Sequence, residues 1–468
     1  MKATLFPSSF DWMPSPLSSV SSHHSPKLAG RLWLEANLSL SQEEKVELIE
    51  KGLLTRVPAL ESNWWGRRCR RCGNTTERLI VPWPCGCGQK CHYCRSCIEM
   101  GRIASCTSFL LWTGAEPDWH QHVDACAWTG QLTPFQKQGA NRIVDTVENN
   151  GRLLVWAVCG AGKTEMLFPG LERALALGRR ICLATPRADV VRELKPRLQQ
   201  AFPHVDIAAL YGGSDDVDDG AQFIIATTHQ LLKYARAFDV MIIDEVDAFP
   251  YHSDPKLHFA AARSLKRTAS LIYLTATPRF SLKVSSYVKK LPTVFVPERY
   301  HGHPLPIPRF LAAFDTKASF QKKQLPKAFQ VWLHNKKTEK RRVIVFVPTI
   351  ELAETMTNMV EEAVYVHSED AERKEKVQRF RDKEISLLIT TTILERGVTF
   401  PSIDVAVIDA GHQVFDEAAL VQIAGRAGRS ADDPNGDVVF FHNGKSSAMV
   451  RAREAIQDMN RRARKERR

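Results

Sequence analysis

The segment Ala157-Val158-Cys159-Gly160-Ala161-Gly162-Lys163-Thr164 has the make-up of a phosphate-binding loop, with Ala where the first Gly is usual. Backbone N–H groups of such a loop ring phosphate oxygens, Lys163 can neutralise the β/γ oxygens, and the Thr164 hydroxyl can ligate Mg²⁺. Asp244-Glu245-Val246-Asp247 closes the apolar run Val240-Met241-Ile242-Ile243. There Asp244 can hold the same Mg²⁺ while Glu245 orients and deprotonates an attacking water. The bland alternatives are a glycine turn and a solvated acidic strand end. They lose weight because both motifs occur at strand ends, where open α/β sheets bind ligands.

A second chemistry lies upstream. Seven of the eleven cysteines (Cys69, Cys72, Cys85, Cys87, Cys91, Cys94 and Cys97) fall within 29 residues, and residues 1–30, with eight Ser and four Pro, do not read as a secretory signal. Cysteines so crowded in a chain without an export signal point to metal rather than disulfides. Cys69-Arg70-Arg71-Cys72 and Cys94-Arg95-Ser96-Cys97 are two Cys-x₂-Cys turns separated by 21 residues. Each can give two thiolates to a tetrahedral, structural Zn²⁺ with no open position. Arg67, Arg68, Arg70, Arg71, Arg95 and Arg102 stand ready to offset the net −2 charge. Cys91 and Cys94 also have ligand spacing, so a different ligand set or a second metal stays open. Cys106, Cys126, Cys159 and Cys182 read as ordinary buried thiols.

These groups need a scaffold. With 468 residues, 44% hydrophobic and 25% charged, the chain is globular and long enough for about three units. No run reaches the ~18 apolar residues of a spanning helix. A net charge of +12 and a pI near 9.2 favour an acidic partner, nucleic acid ahead of an anionic membrane face. Short β-branched runs at 153–158, 180–184, 223–227, 239–243 and 271–275 alternate with helix-like segments, and a second series follows at 343–347, 363–366, 386–390, 405–408 and 438–441. Such alternation predicts an α/β fold of two parallel sheets covered on both faces. The expected division is a Ser/Pro-rich tail at 1–38, a short helix and zinc module at 39–110, one lobe at 130–298, a second at 309–445 and a basic tail at 446–468. The Pro/Gly-dense stretch 296–308 reads as a connector. Within the module, the capping box Ser41-Gln42-Glu43-Glu44 predicts a helix with Val46, Ile49 and Leu53 on one face.

Residues 130–435 resemble the superfamily 2 helicases, built from two RecA-like lobes. Gln136, ending Leu132-Thr133-Pro134-Phe135-Gln136, resembles the Q motif, whose amide reads adenine. Thr275-Ala276-Thr277 resembles motif III, Thr390-Thr391-Thr392-Ile393-Leu394-Glu395-Arg396-Gly397-Val398-Thr399 motif V, and Gln422-Ile423-Ala424-Gly425-Arg426-Ala427-Gly428-Arg429 motif VI. The resemblance implies ATP contacts by Gln136, Ala157, Gly160, Ala161, Gly162, Lys163, Thr164 and Gln422. It makes Arg426 and Arg429 arginine fingers that reach the γ-phosphate only when the lobes close. Thr185-Pro186-Arg187, Tyr211-Gly212-Gly213 and Thr227-Thr228 in the first lobe, with Pro348-Thr349, Thr391 and Thr392 in the second, resemble the loops that grip nucleic-acid phosphates without reading bases. Each alone is more often a loop cap.

A four-cysteine module ahead of such a core is more distinctive. Together with Asp244-Glu245-Val246-Asp247-Ala248-Phe249-Pro250-Tyr251, Ile393-Leu394-Glu395-Arg396-Gly397-Val398-Thr399-Phe400 and Arg299-Tyr300-His301-Gly302-His303-Pro304-Leu305-Pro306, it resembles the late competence ComFA family of transformable Gram-positive bacteria. That resemblance implies an ATP-driven motor drawing single-stranded DNA through the membrane channel ComEC at the inner face of the cell membrane. It further implies Zn²⁺, ATP and Mg²⁺, the partners ComFC and DprA, a cytoplasmic location and a possible homo-oligomer. Two rival readings are a primosome-type or repair DNA helicase, and a nucleotide-switched adaptor whose zinc module docks partners. An RNA helicase is third, because phosphate grips alone do not exclude ribose.

Overall fold

The computed structural model describes residues 10, 12–14, 22–63, 66–314, 316–395 and 400–467. The first lobe is a seven-stranded, wholly parallel sheet. Its order is Ile207–Leu210, Phe223–Thr227, Ile181–Thr185, Phe238–Ile243, Leu265–Thr275, Arg152–Ala157 and Thr293–Val296. Helices on both faces bury these strands, which is why their sequences are continuously apolar rather than alternating. Because all strands run one way, their carboxyl ends form one rim, and that rim carries the phosphate loop, Asp244-Glu245, Thr275-Ala276-Thr277, Thr185 and Thr227.

The second lobe repeats the plan with six parallel strands, ordered Arg309–Ala312, Val438–His442, Ile403–Val407, Arg342–Phe346, Leu387–Thr390 and Ala363–Val366. Among the described residues, ten of the thirteen strands of the two lobes match the runs expected from sequence. Three were missed: Ile207–Leu210, Thr293–Val296 and Arg309–Ala312. All are four-residue strands at sheet edges, too short to show a period.

Both expected tails are corrected where they are described. Residues 22–38 pack against the body: helix Ser25–Leu28 buries Leu28, and Trp33–Leu34 pairs antiparallel with Ser108–Trp112, which in turn pairs with Leu54–Pro58. Composition missed this because Leu28, Leu32 and Leu38 are sparse anchors that find partners only in tertiary structure. The basic end is a helix, Ser447–Glu466, burying Met449, Ala452, Ile456, Met459 and Ala463 at helical spacing. Its charges dominate the composition, while the buried stripe between them decides the structure. Its Asn460 side chain bonds both the N–H and the carbonyl of Leu305 in the connector (2.9 and 3.0 Å).

The capped helix forms over Gln42–Glu50 with both halves of its capping box made. The buried residue is Leu48, whereas Val46 is exposed. Helix Pro255–Ser264 of the first lobe seats the cysteine module, because Arg263, fully buried, donates to the carbonyls of Arg70, Arg71, Leu231, Leu232 and Tyr234. Burial pulls its guanidinium down to about 9, with the Cys69 and Cys72 sulphurs opposing the shift. Among the described residues no helix is long and apolar enough to cross a membrane.

Candidate functional site

A cleft of about 580 Å³ opens between the lobes. From the first lobe it is lined by Gln136, Gly160, Ala161, Gly162, Lys163, Thr164, Asp244 and Glu245, and from the second by Gln422, Arg426 and Arg429. Ala157 is absent from the lining; it is the buried last residue of its strand, so the loop proper starts after it.

Local backbone chemistry shapes the first wall. Gly160 and Gly162 lie at φ +78° and +69°, a region L side chains avoid, and Gly162 caps helix Lys163–Ala176. The N-terminal N–H groups of that helix have no intrahelical acceptors and face the cleft mouth as an anion site. Asp244 and Glu245 follow the strand Phe238–Ile243 directly, and Glu245 takes φ +51°, a strained setting that clusters at functional sites. Burial pushes the Asp244 carboxyl up to about 6; Lys163 opposes the shift, and Glu245 and Asp247 add to it.

The second wall comes from helix Glu417–Ala424 and the turn after it. Arg426 is 1% exposed, its Nε donates to the Glu395 carbonyl at 3.1 Å, and its Nη1 is buried with no hydrogen-bond partner among the described residues. Burial pulls both guanidiniums down, and repulsion from Arg429 lowers Arg426 further. A buried cation with an unused donor is costly unless an anion completes it. Lobe contact is close here: the Cys159 thiol donates to Gln422 Oε1 at 3.0 Å, and a Cβ on Gly425 would lie 2.4 Å from the Cys159 Cβ.

Several expected roles change. The Gln136 amide is already spent: its nitrogen donates to Ala161 and Gly162 carbonyls (2.9 and 3.4 Å) and its oxygen accepts from the Thr133 N–H (2.8 Å) in a capping box. It braces the phosphate loop instead of offering itself to a base. Thr185, Thr227 and Thr228 are buried, so their hydroxyls are not open to a nucleic-acid backbone. Arg187 reaches across the lobes to the Ile393 carbonyl (2.8 Å). Gly212, Gly213 and Thr349 are exposed and Thr391 and Thr392 half-exposed, although Thr349 caps helix Ile350–Thr357. Arg396, Gly397, Val398 and Thr399 of motif V lie outside the described residues.

The structure also recruits residues that sequence reading left unassigned. Asp247, fully buried, accepts from the Thr275 and Thr277 hydroxyls. Arg279 donates to the Asp247 carbonyl and, across the lobes, to Asp416 at 2.7 Å. Arg299 of the connector is 1% exposed and donates to the Ala427, Gly428 and Pro304 carbonyls, latching the turn that carries Arg429; burial pulls it down to about 10. Tyr300 beside it lines the cleft. In sequence Arg299 stood out only as the head of the Pro/Gly-dense segment that carries the family resemblance, with no sign of its role as a latch.

Cys69, Cys72, Cys94 and Cys97 converge, all buried, with sulphurs within 4.8 Å of one another and closest pairs at 3.6, 3.8 and 4.0 Å. Four buried thiols at tetrahedral spacing fit Zn²⁺. Of the six nearby arginines, Arg71 touches the centre, donating to Cys97 Sγ at 3.3 Å and to the Met100 carbonyl at 2.7 Å. Arg102 instead stacks on Trp83. Cys106, expected to be buried, is exposed.

Comparison with known proteins agrees with this architecture. Residues 18–111 match the family described as competence protein ComFA N-terminal domain, 129–280 the type III restriction enzyme res subunit, and 323–431 the helicase conserved C-terminal domain. The two lobes are therefore those of an ATP-hydrolysing superfamily 2 helicase fold. The solved structure of Mss116p bound to ssRNA and AMP-PNP shares that fold, with a TM-score of 0.51 at 16% identity over 66% of this chain and 69% of the other. Competence protein ComFA of Streptococcus pneumoniae is 38% identical over 440 residues, 93% of this chain and 98% of the relative. Competence protein ComFA of Bacillus subtilis is 44% identical over 448 residues, 95% of this chain and 96% of the relative. With relatives this similar along almost their whole length, the chain belongs to the ComFA family of competence proteins.

Proposed function

We propose that this protein hydrolyses ATP in the interlobe cleft and uses the resulting lobe motion to move along single-stranded DNA during uptake for natural transformation. The observation that carries the reading is the meeting of Lys163 with Arg426 and Arg429 in one cleft, the unused Nη1 of Arg426 included. Gly160, Ala161, Gly162 and Lys163 hold the phosphates, and Glu245 orients and deprotonates the attacking water. Arg426 and Arg429 meet the charge that develops on the transferred phosphoryl group. Thr164 and Asp244 would hold Mg²⁺, which supplies neutralisation of the phosphate oxygens. Cys69, Cys72, Cys94 and Cys97 would hold Zn²⁺ as a structural ion.

Hydrolysis cuts the γ-phosphate from ADP, and departure of that phosphate takes away the anion that the second-lobe arginines grip, so the closed arrangement loses its bond across the cleft. The Asp247–Arg279–Asp416 chain transmits that change between lobes. Gly212 and Gly213 on one lobe and Thr349, Thr391 and Thr392 on the other are the strand grips whose separation then alters. In this reading the protein works at the inner face of the membrane beside the channel ComEC, with ComFC and DprA as partners.

The test is ATP turnover with single-stranded DNA, duplex DNA and RNA, in wild type and Glu245→Gln. Stimulation by single-stranded DNA that disappears in Glu245→Gln is the expected result. Equal rates with and without polynucleotide would remove the motor.

A further inference from the structure

We propose that Cys85, Cys87, Cys91 and Cys106 form a second four-thiolate zinc site, separate from the buried quartet around Cys69. Their sulphurs all lie within 4.8 Å of one another, with Cys85–Cys106 at 3.5 Å and Cys87–Cys91 at 3.3 Å. Zn–S bonds of about 2.3 Å place the corners of a tetrahedron roughly 3.8 Å apart. The second quartet is thus close to the size the ion requires.

Packing does not explain the convergence. The first quartet is wholly buried, so apolar burial could gather it without an ion. In the second, Cys87 and Cys106 are exposed, Cys85 is half-buried and Cys91 alone is buried. Four thiols meeting at a solvent-facing edge gain little from leaving water, whereas a shared soft cation gives each of them a ligand bond.

The fold brings them there by two routes. Strands Ile80–Pro84 and Lys90–Cys94 form an antiparallel hairpin whose turn carries Cys85-Gly86-Cys87-Gly88, with Gly88 at φ +77°. Cys91 and Cys94 are three apart on one strand, so their side chains leave by opposite faces. Cys94 therefore joins the buried quartet while Cys91 turns to the other side, which resolves the ambiguity of their Cys-x₂-Cys spacing. Cys106 arrives on the loop before Ser108–Trp112. That loop is pinned to the hairpin by His92 N–H to Ser105 Oγ (3.0 Å) and Ser105 N–H to the His92 carbonyl (2.9 Å). A two-stranded hairpin is marginal alone, and an ion at each of its faces would make it a stiff arm.

The full chain, purified without a histidine tag and with a phosphine reductant, is expected to carry two zinc ions by elemental analysis. Cys85→Ser/Cys106→Ser should carry one and keep its ATP turnover. A chromogenic chelator should withdraw zinc in two phases, the exposed quartet first. Because a variant could misfold, the wild-type chain supplies a second measurement: native alkylation read by mass spectrometry. It should leave Cys85, Cys87, Cys91 and Cys106 unmodified until chelator is added. One zinc per chain with those four thiols alkylated at once would overturn the proposal, as would a loss of two hydrogens per cysteine pair, the mark of disulfides. Two zinc ions retained by Cys85→Ser/Cys106→Ser would place the second ion elsewhere and overturn it too. Alkylation reports each cysteine separately, so failure at this quartet is distinguishable from failure at Cys69, Cys72, Cys94 and Cys97.

Discussion

The interlobe cleft and the buried cysteine centre show opposite uses of charge in one molecule. In the centre, four sulphurs from 29 residues of chain close on one another, and Arg71 and Arg263 are spent on sulphur and carbonyl partners. In the cleft, the walls meet through contacts such as Cys159–Gln422, 263 residues apart, and Arg426 keeps a buried donor without an acceptor among the described residues. A site whose groups are all satisfied has no reason to move. One that buries a cation with an unused donor, as Arg426 has, is completed by an incoming anion, so its closed state can be switched by making and removing that anion.

The sharpest way to break this contrast is Arg426→Ala. Turnover should fall about a thousandfold, the scale of a lost arginine finger, with zinc content unchanged and the melting temperature without nucleotide no lower. A variant that loses stability while retaining turnover would show that Arg426 is structural. Gly425→Ala comes next. Its backbone is right-handed helical, so the residue itself tolerates a side chain; the obstacle is the Cys159 Cβ at 2.4 Å. Turnover should drop roughly tenfold to a hundredfold, because the lobes can no longer meet at this point, and Cys159→Gly in the same chain should restore it.

For the satisfied region, Arg71→Met tests whether its hydrogen bonds to Cys97 hold the centre. Zinc affinity should weaken about tenfold to a hundredfold in a chelator competition, while ATP turnover per zinc-loaded chain stays unchanged. The smallest effect concerns Asp244. Its carboxyl is raised to about 6 from the usual carboxylate range, so at neutral pH the folded protein carries the cost of a buried charge, relieved as pH falls through 6. Mg²⁺ needs the ionised form and competes with that proton. Its apparent affinity, titrated calorimetrically with a non-hydrolysable nucleotide, should be flat above about pH 7 and decline about tenfold per unit below 6.

How much was legible beforehand follows the same division. The phosphate loop, Asp244-Glu245, and the Cys69/Cys72/Cys94/Cys97 set are local patterns whose spacing carries their chemistry, and the long parallel strands announce themselves as apolar runs. Gln136 was legible as a motif but not in its use, because the same side chain satisfies both a helix cap and the phosphate loop. Arg299 was legible as part of a family segment but not as a latch, and Arg279 was invisible, since their partners are backbone carbonyls or residues of the other lobe.

By itself, then, the sequence determined the two-lobed α/β plan, the loop that can hold phosphate and the cysteines able to bind metal, because each depends on residue type at short separation. Tertiary structure alone decided that Arg426 faces Lys163, that Thr185 and Thr228 are sealed from solvent, and that Cys91 parts from Cys94 to join Cys106. Those outcomes depend on which surfaces are brought together and which donors are left over, and neither quantity exists until the chain has folded.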